Sequence, residues 1–355
     1  MKSRVVIGMS GGVDSSVAAR RLLEDGHDVI GITMKLWPQA CASVAPDKCC
    51  GPEAVADARA VAQQLGIPHY VVEAQQQFQR WVIDHFIAEY RAGRTPSPCV
   101  LCNEKLKFGT LLETARSLGA SHVATGHYAR VERNGGRWRL RKGCDAQKDQ
   151  SYFLFSLSQE QLAHALFPMG GMTKRQTRAM AAQLGLKVAG KRESQEICFV
   201  TDDYRRFLRD AGVREHAGEI VDTAGRVLGE HEGVEFFTIG QRRGLRVAAG
   251  RPLYVVAIDP ARNRIVVGDD DDLVCGEFVA DDGNWVSIEP LRAPRGATVK
   301  IRSRHEAVPA QIEPLEANAG RVRVRFAQPQ RAVTPGQAAV FYDGDTVLGG
   351  GWICR

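Results

Sequence analysis

Short apolar runs alternate with longer amphipathic segments in the first third of the chain. The apolar runs predict strands over residues 4–9, 28–34, 70–72 and 122–125. The amphipathic segments predict helices over residues 17–23, 52–65, 76–90 and 104–118. Buried strands that alternate with helices are typical of a parallel, doubly wound sheet. This part of the chain is therefore predicted to have an α/β fold.

The pattern changes near residue 218, where helical periodicity fades and Gly and Pro turns become frequent. A hairpin is predicted over 219–228, and an acidic linker or turn over 269–272. The strands beyond the linker are predicted at 298–302, 311–313, 321–326, 338–342 and 346–349. Short strands at regular intervals indicate a small β-barrel at the end of the chain, after a β-rich central segment.

The first predicted strand meets the first predicted helix through Ser10-Gly11-Gly12-Val13-Asp14-Ser15-Ser16. Glycines allow a tight turn close to an anion, and the unpaired N–H groups of the first helical turn face it. The stretch lacks both the Walker A lysine and the G-x-G-x-x-G spacing. An ordinary helix cap is the alternative, but the density of glycines and hydroxyls favours phosphate binding.

Two other segments are expected at the same edge of the sheet as this loop. Ligands of doubly wound sheets bind beyond the carboxyl ends of the strands. Met34 ends the second predicted strand, and residues 125–128 follow the fourth. The topology therefore predicts that the loop, Met34 and the 125–128 turn share one rim.

Composition narrows the class of protein but does not name a reaction. The 355 residues are 44% hydrophobic and 25% charged, which fits a globular protein of two or three domains. The net charge of +6 slightly favours a nucleic acid as partner. Because neither a secretory leader nor a membrane-length apolar run is found, we expect a cytoplasmic protein without a membrane partner.

The chain has nine cysteines, and reduced thiols are expected in the cytosol unless they are catalytic or metal-bound. Cys99 and Cys102 form a C-x-x-C motif in a Pro-flanked loop that opens a predicted helix. The helix dipole is expected to lower the pKa of a thiol at this position. Cys198 lies about a hundred residues later, close in sequence to Glu193, Gln195 and Glu196. Such polar neighbours are unusual for a merely structural cysteine.

Three uses of these thiols are considered. A zinc site needs two well-spaced pairs, and Cys49 and Cys50, in a loop with Cys41, are adjacent. An iron–sulfur cluster could use Cys99, Cys102 and Cys198, one ligand short of the usual four. A sulfur-carrying pair would hold a persulfide on one cysteine and close a disulfide with the other. The residues alone do not separate the last two uses. The simplest role of Cys144, Cys275 and Cys354 is packing.

The chain resembles the tRNA-uridine 2-sulfurtransferases, also called tRNA-specific 2-thiouridylases, over nearly its whole length. The resemblance rests on motifs that follow one another in order, at residues 8–15, 98–103, 124–130, 148–154, 194–199, 238–245, 334–338 and 349–353. It implies an ATP-pyrophosphatase domain at 1–204, a β-rich central domain at 205–272 and a β-barrel at 273–355. The implied reaction is ATP-dependent 2-thiolation of the wobble uridine, at position 34 of tRNA.

The resemblance also implies roles for individual residues. Cys102 would be the nucleophile and Cys198 the persulfide carrier, and the two would end as a disulfide. ATP, with Mg²⁺, would bind at Gly8, Met9, Ser10, Gly11, Gly12, Val13, Asp14, Ser15, Met34 and Gly126. The target base would face Ser97, Pro98 and Cys99. Other parts of the tRNA would contact His127, Lys148, Asp149, Gln150, Arg302, Ser303 and Gln337.

Further partners and alternatives follow from the same resemblance and residues. A sulfur-relay protein or a cysteine desulfurase would supply the sulfur, and a 4Fe–4S cluster stays an alternative use of the cysteines. Two rival functions are an ATP-dependent ligase for another acceptor and an RNA-binding protein without catalysis. Basic residues that would support tRNA binding include Lys174 to Arg178 on a predicted helix, and Arg321, Arg323 and Arg325 on one strand face. A solvated face is the alternative for both groups.

Overall fold

The computed structural model describes residues 3–36, 51–191, 197–200, 203–315 and 320–354. The loop with Cys41, Cys49 and Cys50 lies outside these residues, and so does the segment with Glu193, Gln195 and Glu196. Within the described residues, no helix combines the length and the apolar character that a bilayer crossing requires.

The N-terminal part is built on a five-stranded parallel sheet. The first seven strands are β1 (Arg4–Gly8), β2 (Asp28–Lys35), β3 (His69–Glu73), β4 (His122–Ala124), β5 (Ala129–Asn134), β6 (Arg137–Lys142) and β7 (Ala165–Leu166). The sheet has the order β3-β2-β1-β4-β7, and all its pairs are parallel. Val5, Val6 and Ile7 on the central strand are fully buried, as expected when helices cover both faces. The predicted parallel α/β sheet is confirmed.

The helices of the described residues are α1 (Val13–Glu24), α2 (Pro52–Leu65), α3 (Gln75–Phe78), α4 (Asp84–Arg91), α5 (Pro98–Leu101), α6 (Leu111–Ser117), α7 (Gln159–Ala163), α8 (Lys174–Gln183) and α9 (Tyr204–Asp210). Two π-helical segments, Gln79–Ile83 and Cys102–Thr110, join α3 to α4 and α5 to α6. Four short 3₁₀ turns cover Ser151–Leu154, Lys187–Gly190, Val234–Phe236 and Asp271–Leu273.

The helix that carries the C-x-x-C motif starts earlier than predicted. Helical structure runs without interruption from Pro98 to Ser117, whereas the sequence pattern predicted a start at residue 104. Proline suits the first turn of a helix because its missing N–H has no partner there in any case. Cys99 and Cys102 therefore lie inside the helix, one turn apart, and not in a loop before it.

The central segment forms a sheet of its own. Its strands are β8 (Gly218–Asp222), β9 (Val227–His231), β10 (Tyr254–Asp259) and β11 (Arg264–Gly268), in the order β10-β11-β8-β9. The predicted hairpin is confirmed as β8 and β9. The predicted acidic linker contains the 3₁₀ turn Asp271–Leu273, which precedes the barrel.

The C-terminal segment is a closed six-stranded barrel, as predicted. Its strands are β12 (Val274–Asn284), β13 (Arg295–Lys300), β14 (Val308–Pro314), β15 (Val322–Arg331), β16 (Ala338–Asp343) and β17 (Thr346–Cys354). The order is β12-β15-β14-β13-β16-β17, and β12 also pairs with β17. The β5–β6 hairpin extends this sheet, because β6 pairs with β17 through Arg141–Thr346 and Leu140–Val347. The hairpin thus ties the N-terminal part to the barrel.

Two hydrophobic clusters join the three segments. One includes Phe108 of the N-terminal part together with Tyr342 of the barrel. The other, which we call the junction cluster, includes Phe86 and Phe199 together with Phe236 and Val255 of the central segment. The junction cluster is where the two sequence-predicted catalytic cysteines are found.

Candidate active site

The glycine loop between β1 and α1 is shaped by its own backbone and hydroxyls. Gly11 has φ +67, and a side chain there would collide with the carbonyl of Ala54. The hydroxyls of Ser15 and Ser16 donate to the carbonyl of Gly12 at 3.2 and 2.8 Å, and the N–H of Ser10 donates to Ser15 Oγ at 3.2 Å. The loop is therefore held in one conformation before any ligand binds, as electrostatic preorganisation requires.

Helix α1 starts at Val13, four residues before the predicted start at residue 17. Gly12 is the N-cap, and no side chain caps the helix. The ordinary capping role considered for Ser or Asp in this loop is therefore wrong for the described helix. An uncapped N-terminus leaves N–H groups available for an anion.

Gly126, which follows β4, packs directly against the glycine loop. A Cβ atom at Gly126 would lie 2.8 Å from the amide nitrogen of Ser15 and 3.0 Å from Cβ of Asp14. Met34, the seventh residue of β2, is half-buried and packs against both joining clusters. The predicted meeting of the loop and the turn after β4 is confirmed, and only glycine fits at that contact.

Lys174, which the sequence predicted only as part of a basic or solvated helix face, is buried and neutralises Asp14. Lys174 Nζ donates to both carboxylate oxygens of Asp14, at 2.7 and 2.8 Å, and the Lys174 side chain is only 11% exposed. The phenol of Tyr128 donates to the same carboxylate at 2.8 Å and lies 2.9 Å from the Thr177 hydroxyl. Lys174 and Thr177 are both buried on α8, one turn apart, and therefore reach the same carboxylate and phenol.

Cys102 and Cys198 pack against the same hydrophobic cluster. Both are half-buried members of the rim of the junction cluster, and Met34 packs against it as well. Two cysteines separated by 96 positions in the printed sequence are thus brought to one region beside the nucleotide rim. A sulfur relay between two thiols would need both of them in one region.

The segment of Cys198 is anchored by its neighbour Phe199. The Phe199 ring is 5% exposed and meets the rings of Phe86 and Phe207 at 5.0 and 5.1 Å between centroids. Edge and tilted contacts of this kind add to the stability of an aromatic cluster. These contacts hold residues 197–200 against the junction cluster.

The Cys99 thiol is perturbed in the opposite direction from the sequence prediction. The pKa of Cys99 is raised from 9.0 to about 11, mainly by burial and in part by the neighbouring Cys102, while Lys107 opposes the shift. The expected lowering by the helix dipole is therefore wrong for Cys99. Removing the thiolate from water disfavours the charged form. Cys99 is a neutral thiol at neutral pH.

Cys99 is expected to resist alkylation. A thiol with a pKa about two units above the ordinary value has about 100-fold less thiolate below pH 9, so its reaction with iodoacetamide should slow by about that factor. Peptide mapping after timed alkylation at pH 8 measures the rate, with the exposed Cys144 as internal reference. A Cys99 rate equal to that of Cys144 in the folded protein would contradict the assignment.

The described cysteines do not form a metal site. No group of three His, Cys, Asp or Glu side chains in the described residues is arranged to hold a metal ion. Cys99, Cys102 and Cys198 all belong to the residues searched. This finding concerns a single metal ion, and an iron–sulfur cluster ligated by these three stays a prediction.

Most predicted tRNA contacts hold the protein's own structure together. Asp149 Oδ1 accepts from the N–H groups of Gly143 and Ser151, and Gln150 Oε1 accepts from the N–H of Tyr128. Burial lowers the pKa of His127 well below its usual value, since the ring is 8% exposed against Phe108. A direct role of these side chains at the tRNA stays a prediction.

Two of the segments predicted to contact tRNA nevertheless lie close to each other in the structure. Burial lowers the pKa of Lys300 at the end of β13, and the carboxylate of Asp149 partly offsets that shift. The 148–150 segment thus lies beside the barrel strand that leads to Arg302 and Ser303, and Arg302 is exposed. The structure therefore brings together two segments that are distant in the sequence.

Comparison with known proteins decides the family. Family models match residues 3–202 (tRNA methyl transferase HUP domain), 205–269 (tRNA methyl transferase PRC-barrel domain) and 275–353 (Aminomethyltransferase beta-barrel domain). The tRNA-specific 2-thiouridylase MnmA of Geobacter metallireducens is 54% identical over 359 residues, covering 99% of this chain and 97% of that protein. The chain belongs to the tRNA-specific 2-thiouridylase family. A second member of that family, from Geotalea uraniireducens, is also 54% identical and covers 99% of this chain and 95% of its own.

A solved structure outside the 2-thiouridylase family is more distant. A 4-thiouridine synthetase in complex with RNA and ATP is 18% identical, covers 56% of this chain and 45% of its own, and has a TM-score of 0.36. A likeness at that level carries no argument.

The arginines predicted to line one strand face of this 2-thiouridylase family member are paired with acidic residues. Arg321 and Arg325 contact Asp281 and Glu277 at 2.8 and 3.0 Å. Arg323 lies 3.9 Å from Glu313. Because each guanidinium already faces a carboxylate, the pairing favours the solvated-face alternative over contact with phosphates.

Proposed function

We propose that one pocket, formed by the 10–16 loop, Met34, Cys102 and Cys198, activates the C2 oxygen of a uridine and replaces it by sulfur. The protein is a tRNA-specific 2-thiouridylase, an enzyme for ATP-dependent 2-thiolation of the wobble uridine. The observation that supports the assignment of the pocket is that Cys102 and Cys198 pack against one hydrophobic cluster together with Met34.

The first step is adenylation of the base. The C2 oxygen of the uridine attacks the α-phosphorus of ATP, and pyrophosphate leaves. We assign ATP binding to residues 8–15, Met34 and Gly126. The uncapped N-terminus of α1 supports this assignment, since its N–H groups and positive dipole end stabilise charge on the phosphates. Lys174 supports it as well, because it offsets the negative charge of Asp14 beside the loop.

The second step transfers sulfur. The terminal sulfur of a persulfide on Cys198 attacks C2, and AMP leaves with the former C2 oxygen. The thiolate of Cys102 then attacks the Cys198 sulfur, the S–S bond to the base-bound sulfur breaks, and 2-thiouridine is released. The resulting Cys102–Cys198 disulfide requires Cα atoms within about 7 Å at that stage. A two-electron thiol reductant must then reopen it, and a persulfide donor must reload Cys198.

The wobble base must leave its stack to reach this pocket. We assign contact with the flipped base to Ser97, Pro98 and Cys99, which lie at the start of the Cys102 helix. A sulfur-relay protein or a cysteine desulfurase is the proposed donor. The domain limits 1–204, 205–272 and 273–355 are part of the same proposal.

Magnesium is assigned to the phosphates of the nucleotide and not to a protein cage. Mg²⁺ usually binds one or two carboxylates together with substrate phosphates and waters. Asp14 is the acidic residue of the loop, and its oxygens already accept from Lys174 and Tyr128. When bound, the ion would offset phosphate charge. No step of the proposed mechanism is routed through an iron–sulfur cluster, since Cys102 and Cys198 have the sulfur-transfer roles.

The proposed function is tested by measuring pyrophosphate, AMP and 2-thiouridine together, with persulfide-loaded enzyme and a tRNA that has uridine at position 34. One pyrophosphate and one AMP are expected for each thiouridine formed. The matched control is the same tRNA with cytidine at position 34, which should give none of the three. Pyrophosphate release without any tRNA would favour a ligase with another acceptor, and the absence of release with all components would overturn the proposal.

A further inference from the structure

Gln337 of the barrel touches the active-site segment of the N-terminal part. Its side-chain Nε2 donates to the carbonyl oxygens of Thr95 and Pro96, at 3.1 and 3.0 Å. The N–H of Thr95 in turn donates to the carbonyl of Pro335 at 2.8 Å. Three hydrogen bonds therefore connect the barrel turn at 334–337 to the chain just before the Cys99–Cys102 helix.

The conformation of the barrel turn at 334–337 lets its backbone approach residues 94–95 closely. Pro335 and Gly336 occupy its two central positions, and Gly336 has φ +87, which suits a type II turn. The N–H of Gln337 donates to the carbonyl of Thr334 at 3.2 Å and closes the turn. A Cβ atom at Gly336 would lie 2.9 Å from Cβ of Arg94 and 2.9 Å from the carbonyl oxygen of Thr95. The contact thus leaves no room for a side chain.

The other side of the 94–97 segment is held by helix α4. The guanidinium of Arg94 forms an ion pair with Glu89, and the N–H of Arg94 donates to the carbonyl of Glu89 at 2.9 Å. Ser97 follows directly, is 8% exposed, and accepts from the N–H of Val100 at 3.2 Å. The helix that carries Cys102 therefore starts from a segment fixed between α4 and the barrel.

A side-chain amide nitrogen has two hydrogens, and Gln337 uses both on these carbonyls. We infer that Gln337 is a positioning residue, which fixes the start of the Cys99–Cys102 helix so that the base-facing residues and Cys102 meet the flipped uridine in a reactive geometry. This differs from the direct tRNA contact that the family resemblance implied for Gln337. The inference rests on the proposed role of Cys102.

The inference predicts a kinetic signature for Q337A. The kcat for thiolation at saturating tRNA should fall about 10- to 100-fold, because small displacements of reacting groups have effects of that size. The Kd for tRNA should stay within about twofold of wild type, since no tRNA contact is lost. Q337E should be at least as impaired, because an ionised carboxylate would face two carbonyl oxygens with no hydrogen to donate.

Two controls make the experiment decisive. Q328A removes an exposed glutamine side chain from β15 and should behave like wild type. G336A keeps the Gln337 side chain but crowds the contact between its turn and the 94–97 segment, so it should reproduce the loss of kcat with unchanged tRNA affinity. If Q337A does not fold, G336A carries the test, and hydrogen–deuterium exchange should show faster exchange at residues 94–98.

The outcomes separate this inference from the proposed function. A Q337A enzyme with unchanged kcat and a tRNA Kd raised about tenfold would make Gln337 a tRNA contact and overturn the inference. Unchanged values for both quantities would overturn it too. C102S is measured beside it. If C102S is inactive while Q337A equals wild type, the inference alone fails, whereas an active C102S would remove the proposed function itself.

Discussion

Cys198→Ser should reduce 2-thiouridine formation below about 0.1% of wild type, a loss of at least ~4 kcal/mol of transition-state stabilisation. A serine hydroxyl cannot hold a persulfide, so no sulfur is available to attack the activated base. Adenylation should continue, because the phosphate loop and Lys174 lie on other elements. The measurement is 2-thiouridine by mass spectrometry of digested tRNA, with pyrophosphate release recorded in the same reaction.

Cys275→Ser is the matched control for this substitution. Cys275 lies on β12, and its thiol bonds the carbonyl of Glu277 at 2.8 Å, an interaction that a serine hydroxyl can reproduce. This variant should keep wild-type thiolation. A Cys198→Ser enzyme that forms 2-thiouridine at the wild-type rate would show that sulfur reaches the base without this thiol.

Lys174→Gln is expected to lower kcat/KM for adenylation about 100-fold, comparable to losing one electrostatic group of a preorganised site. Lys174 is the buried cation that holds both oxygens of Asp14. Without it, the uncompensated carboxylate repels the triphosphate and the α1 start loses its anchor to α8. The rate of pyrophosphate release at several ATP concentrations gives kcat/KM for adenylation. The Kd for tRNA should not change.

A double-variant cycle tests whether the pair acts as a unit. Asp14→Asn combined with Lys174→Gln should be no worse than the more damaging single variant, since both remove the same interaction. Lys187→Gln changes an exposed lysine on the segment after α8 and should leave adenylation unaltered. Fully additive losses in the double variant would contradict the coupling of Lys174 to Asp14.

Features that depend on neighbouring residues were predictable from the sequence. Apolar runs of strand length and the Gly-Gly turn predicted β1, the loop and the nucleotide rim, because strand burial and turn chemistry are local properties. The start of α1 was placed four residues late because the glycine at its N-cap and the aspartate and serines of its first turn hid the helical pattern. The early start of the Cys102 helix was hidden in the same way by prolines and serines.

Contacts between distant residues could not be predicted in this way. Lys174 lies 160 positions from Asp14, and Gln337 lies 242 positions from Thr95. A basic helix and a Thr-Pro-Gly-Gln turn are each compatible with a solvated surface. Only the packing of α8 against α1 and of the barrel against the 94–97 segment gives these residues a role. The pKa of Cys99 depended on packing too, since burial is the main cause of its rise.

The central claim is that Cys198 delivers sulfur and Cys102 resolves the intermediate within one pocket. It is tested most directly in a single turnover of persulfide-loaded enzyme with ATP and tRNA, followed by rapid alkylation of thiols and peptide mass spectrometry. The account predicts one Cys102–Cys198 disulfide for each 2-thiouridine formed. Formation of 2-thiouridine while both cysteines are recovered alkylated would contradict it.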